Sequence, residues 1–90
     1  MATYLAVCVR DEALQAFNRP FFVNSVGFAM RSFEDEVNRK SPDNPMSSHA
    51  KDFSLWHVGS FDEDTAKLVS LDVPVRLCDA LSVLKPNPEG

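Results

Sequence analysis

NSVGFAMRSFEDEVN, residues 24–38, is the stretch on which the fold turns. Asn24 and Ser25 suit a helix N-terminus, where a short side-chain oxygen accepts a hydrogen bond from the free N–H groups of the first turn. Behind them Val26, Ala29, Met30, Phe33 and Val37 recur at helical spacing, with Arg31, Ser32, Glu34, Asp35, Glu36 and Asn38 opposite. The spacing predicts an amphipathic helix over residues 25–39, whose apolar stripe must be covered by another element.

On its N-terminal side the pattern changes to the two-residue period of strands. YLAVCV (4–9) sets Leu5, Val7 and Val9 on one face and Tyr4, Ala6 and Cys8 on the other, so both faces can be covered and a central strand is expected. Arg10, Asp11 and Glu12 close it. FNRPFFV (17–23) alternates again, but Pro20 has no N–H for a ladder, which places this strand at an edge or a bulge.

On the C-terminal side, KSPDNPMSSHAK (40–51) has two prolines, three serines and few apolar residues, and reads as an exposed loop that includes His49. FSLWHVGSF (53–61) then alternates, with Phe53, Leu55, His57 and Phe61 of one parity and Ser54, Trp56, Val58 and Ser60 of the other. The acidic turn DEDT (62–65) joins it to AKLVSL as a hairpin. Asp72, Val73 and Pro74 interrupt, after which VRLC forms a fifth short strand, DALSVL a closing helical turn, and residues 85–90 a frayed tail. These readings give one α+β domain over residues 1–90, a largely antiparallel sheet of four to five strands with one main helix packed on a face.

Composition narrows the chemistry. Nine Lys and Arg against thirteen Asp and Glu leave a net charge of −4, so a domain-wide positive field for nucleic acid is absent and any phosphate contact must be local. Cys8 and Cys78 sit in apolar runs without CxxC spacing and read as two buried thiols. No basic segment precedes an apolar stretch at the N-terminus, and no apolar run approaches the roughly 18 residues of a membrane span, so no membrane contact and a cytoplasmic location are expected. His49 and His57 lack ligand partners at zinc spacing, and Asp62, Glu63 and Asp64 lack the glycine and distal carboxylate of a calcium loop. Gly27, Gly59 and Gly90 are too scattered for a phosphate-cradling loop. Neither a metal nor a cofactor is expected, nor any catalytic residue.

What the strands do carry is rings among cations. Tyr4, Phe17, Phe21, Phe22, Phe53, Trp56 and Phe61 interleave with Arg10, Arg19, Lys67 and Arg76. Most of these rings are needed for a core. A sheet face that exposes some of them beside cations nevertheless suits unpaired bases, which stack on rings while their phosphates follow the charges. Arg10, Arg19, Phe22, Trp56, Lys67 and Arg76 are the candidate nucleic-acid contacts, provided the acidic groups segregate to helix positions 34–36 and turn 62–64.

Three runs carry a family resemblance: YLAVCVRDEALQAFNRPFFV (4–23), VGFAMRSFEDEVN (26–38) with Ala29, Arg31, Phe33, Asp35, Val37 and Asn38, and DFSLWHVGSFDEDTAKL (52–68). In their order they resemble the small nonstructural protein of gokushovirus-like microviruses, phages with single-stranded DNA genomes. Loop 40–51 departs from the family's composition. The resemblance implies a nonvirion protein of the infected bacterium, acting in viral DNA replication or in the switch to single-stranded genome synthesis, and brings no catalytic residues. The expected partners are single-stranded DNA or phage and host replication proteins. A homodimer joined through the 17–23 edge is also expected, because Phe21, Phe22 and Val23 leave that edge adhesive. The alternative is a homodimeric protein-interaction module that modulates a host or phage protein without touching DNA.

Overall fold

The computed structural model describes residues 3–86; the end of the expected frayed tail, from residue 87, lies outside them. The elements run β1 (Thr3–Asp11), β2 (Ala16–Phe17), β3 (Phe21–Val23), α1 (Val26–Val37), α2 (Pro45–Ser48), a 3₁₀ turn at Ala50–Asp52, β4 (Phe53–Asp62), β5 (Lys67–Asp79) and α3 (Ala80–Val83). All strand pairs are antiparallel, and the five strands form one curled sheet in the order β2-β1-β4-β5, with β3 beside β2 on the same side of β1. The fold is α+β, as the sequence predicts.

Helix α1 covers one sheet face. Ser25 Oγ accepts from Phe28 N at 3.1 Å, which fixes the first turn. The apolar stripe then buries Ala29, Phe33 and Val37 against Val7, Val9, Val23, Phe53 and Leu55, with Leu5 and Met30 packed at the margin. Leu55, Val7 and Val37 are fully enclosed, each gaining about 1.5–3 kcal/mol over an exposed position. At the other end of α1, Asn38 Nδ2 donates to Val83 O at 3.0 Å and Asn38 Oδ1 accepts from Lys85 N at 2.7 Å, tying the helix to α3 and the chain after it.

Three local expectations are corrected. The 17–23 strand is two short strands, β2 and β3, both at the edge beside β1, because Pro20 offers no donor and the ladder, which Asn18 N still joins through Val9 O at 2.7 Å, is interrupted before Phe21. Segment 40–51 is no open loop: it holds α2 and the 3₁₀ turn, and Asn44 and Ala50 are buried although His49 is exposed. Asn44 Nδ2 donates to Glu36 O and Arg39 O, both at 2.8 Å, and so ties this segment to the C-terminal end of α1. The expected fifth strand VRLC is the last part of β5. Pairing with β4 shifts instead of ending, as His57 opposes Val75 and Gly59 opposes Ser70, so that Asp72, Val73 and Pro74 fall within the irregularity.

Candidate functional site

With α1 on the Val7 and Leu55 side, the other side of the sheet carries the chemistry. Cross-strand register arranges it in rows. Phe17, Arg10 and Ser54 make the first, followed by Cys8, Trp56 and Arg76, then Phe22, Ala6, Gly59 and Ser70, and last Tyr4, Phe61 and Leu68. Directly opposed residues of antiparallel strands share a face, so these rows lie on one surface.

Two ring clusters stand on it. In the first, Phe17 and Trp56 meet edge to face at 5.8 Å, with the Arg10 guanidinium 5.0 Å from the Phe17 centroid and that of Arg76 5.8 Å from the Trp56 centroid. Trp56 Nε1 donates to Ser54 Oγ at 2.7 Å, which fixes the indole. Arg10 also pairs with Glu12 at 3.3 Å, and Arg76 with Asp79. Exposed pairs of this kind are worth about 0–1 kcal/mol, so an incoming anion displaces them at little cost. In the second cluster, Phe22 and Phe61 lie 5.6 Å apart and, with Tyr4 and Leu68, line a hollow of about 390 Å³.

Between the clusters runs a trough of about 220 Å³ with Ala6, Gly59 and Ser70 along its floor and Pro20 on its wall. Gly59 permits the close approach of β4 and β5 at this floor, since a Cβ there would lie 2.4 Å from Val69 O. The far end is acidic. Tyr4 Oη donates to Glu63 Oε2 at 3.2 Å, and that bond and the Glu63 charge raise the phenol above its ordinary pKa.

Of the six predicted contacts, Arg10, Trp56, Arg76 and Phe22 share this surface, and Arg19 is exposed beside Pro20. Lys67 does not join them: it opposes Asp62 at the hairpin tip, one position out of phase with Leu68, and belongs to the other face. Phe61, Tyr4 and Phe17 are ring-face residues that the candidate set lacks. Strict alternation assigns Phe61 to the core parity of Leu55. A bulge at Val58, left between His57↔Val7 and Gly59↔Ala6, turns Phe61 over to the side of Trp56. The helix acids Glu34, Asp35 and Glu36 lie in the layer behind the sheet, and Asp62, Glu63 and Asp64 at one end.

The remaining candidates have quiet surroundings. Cys8 is buried and Cys78 half-buried, both free, and desolvation raises both thiols above their usual range. His57 lies within bonding distance, 2.9 Å, of Gly59 O. Among the described residues no group of three or more His, Cys, Asp or Glu is placed to hold a metal, and no helix is long and apolar enough to cross a membrane.

The family model described as Phage ORF5 protein matches residues 4–83. No curated protein and no solved structure matches the chain.

Proposed function

The chain belongs to the phage ORF5 protein family, and from that premise we propose that it is a noncatalytic accessory protein of phage DNA replication that binds single-stranded DNA on the ring face of its sheet. The resemblance to the nonstructural proteins of gokushovirus-like microviruses sets the biological frame: action in the host cytoplasm, in replication or the switch to single-stranded genome synthesis, beside phage or host replication proteins. The observation that carries the reading is the first ring cluster, where Phe17 and Trp56 stand between Arg10 and Arg76 on the face opposite α1, which no helix among the described residues covers. Rings offer any base a stacking surface, and guanidinium groups beside them meet the phosphates. Glu34, Asp35 and Glu36 lie behind the sheet and Asp62, Glu63 and Asp64 at one end, whereas Glu12 and Asp79 pair with the cluster's own arginines and must yield them to phosphate at a net charge of −4.

Polarization titrations with a single-stranded oligonucleotide between about 50 and 200 mM salt test it. Arg10, Arg19 and Arg76, at about 0.7 each, give a slope of log affinity against log salt near −2, with micromolar binding. Trp56→Ala removes about 1–3 kcal/mol of stacking, and Arg19→Glu weakens binding and flattens the slope. Absence of binding at low salt, or both folded variants binding as wild type does, rejects the reading.

One feature favours a second reading, a homodimeric interaction module. Strand β5 is the long free edge of the sheet and exposes Leu68, Val69, Val73 and Val75, where protected edges carry charge. Under that reading light scattering reports a dimer, and affinity follows a protein partner instead of DNA.

A further inference from the structure

We propose that the hollow formed by Tyr4, Phe22, Phe61 and Leu68 takes one unpaired nucleobase, as a second station on the same DNA path as Trp56. The inference rests on the reading of the ring face as a single-stranded DNA site and adds the ligand of a cavity that this reading does not use. The lining consists of three rings and one leucine, and the Tyr4 hydroxyl is engaged with Glu63. A ligand there gains apolar and π contact with little hydrogen-bond reading, which is how sequence-tolerant stacking sites hold a base.

Continuity with the first cluster selects a base over other flat apolar ligands. Phe22 and Leu68 line both the hollow and the adjoining trough, whose floor of Ala6, Gly59 and Ser70 is low enough for a sugar–phosphate chain to pass. Along β1 the stations are set by Cys8 and Tyr4, four residues and so about 13 Å apart. That separation suits the lower end of the range of roughly 4–16 nucleotides held by single-strand-binding modules. Arg19, exposed next to Pro20 on the trough wall and without an ion-pair partner among the described residues, supplies a cation between the stations. Beyond the hollow, Asp62, Glu63 and Asp64 repel phosphate, so the hollow is the last station and the strand leaves the surface there.

The test uses the full chain with oligothymidylates, a dimer and an octamer, at low salt. Leu68 is 67% exposed, so Leu68→Glu puts a charge at the hollow without disturbing the core. The variant is expected to lose about fivefold to a hundredfold in affinity for the octamer, the range for one base–ring contact, and to hold the dimer, too short to reach from Trp56 to the hollow, as wild type does. An octamer carrying 5-iododeoxyuridine at one terminus is expected to photocrosslink to peptides containing Tyr4 or Phe61. If wild type binds neither oligonucleotide, the DNA reading falls and this inference with it. If wild type binds and Trp56→Ala weakens it, but Leu68→Glu holds the octamer unchanged or loses both lengths equally, the second station alone is rejected.

Discussion

Ala66 and Gln15 hold φ of 60° and 52°, each the last residue before a strand in a tight antiparallel connection. Residues with a Cβ pay about 1–2 kcal/mol in the left-handed region, part of which glycine gives back through its freer unfolded chain. Ala66→Gly is therefore expected to raise stability by about 0.5–1 kcal/mol, read as an upward shift in the thermal midpoint; a lower midpoint would contradict the strain. Asn44 works in the opposite sense. Its side chain donates two bonds to Glu36 O and Arg39 O and accepts one from Met46 N, so Asn44→Ala removes three hydrogen bonds and is expected to cost about 2–3 kcal/mol in urea denaturation. Nothing in the PDNP run distinguishes this asparagine from a solvated loop residue. Its role exists only because the chain returns across the end of α1.

At the level of elements, α1 was readable from its cap and its stripe because both are local: Ser25 and the spacing of Ala29, Phe33 and Val37 need no distant information. Phe33→Ala is expected to cost about 3–5 kcal/mol, enough to unfold much of so small a domain at room temperature, and circular dichroism melts check it. An unchanged midpoint would refute the packing of α1 on β1 and β4. Strand β4 is the contrary case. Its first half follows the alternation that places Leu55 inside and Trp56 outside, whereas the Val58 bulge reverses the phase for Phe61. A bulge forms where two strands of unequal local length must stay in register, so its position depends on β1 as well as on β4. The second ring cluster was hidden from sequence for this reason, whereas Arg10, Trp56 and Arg76 of the first were among the candidates and Phe17 was not.

Over the whole molecule the core is concentrated at one end. Val7, Val9 and Leu55 are enclosed, while Leu68, Val69 and Val73 on the outer strand are exposed, and the molecule extends 50 Å along its longest axis. Native-state hydrogen exchange is expected to be slowest at Val7, Val9 and Leu55, near the limit of global unfolding, and faster over residues 68–73 through local opening. Uniform protection along β5 would contradict this, and protection of β5 that appears only at high protein concentration would instead support pairing of its edge with a second copy. On the ring face Arg10 and Arg76, each paired with an acid, lie toward one end and the acidic turn at the other. The sequence by itself determined the helix, the central place of β1, the β4–β5 hairpin and the side of β4 on which Trp56 lies, because caps, periodicity and turns are properties of neighbouring residues. Only the tertiary structure decided that Phe61 joins Tyr4 and Phe22, that Lys67 stays away from Trp56, and that Asn44 is buried, because register between strands and the return of a chain onto a helix end are set by residues far apart in sequence.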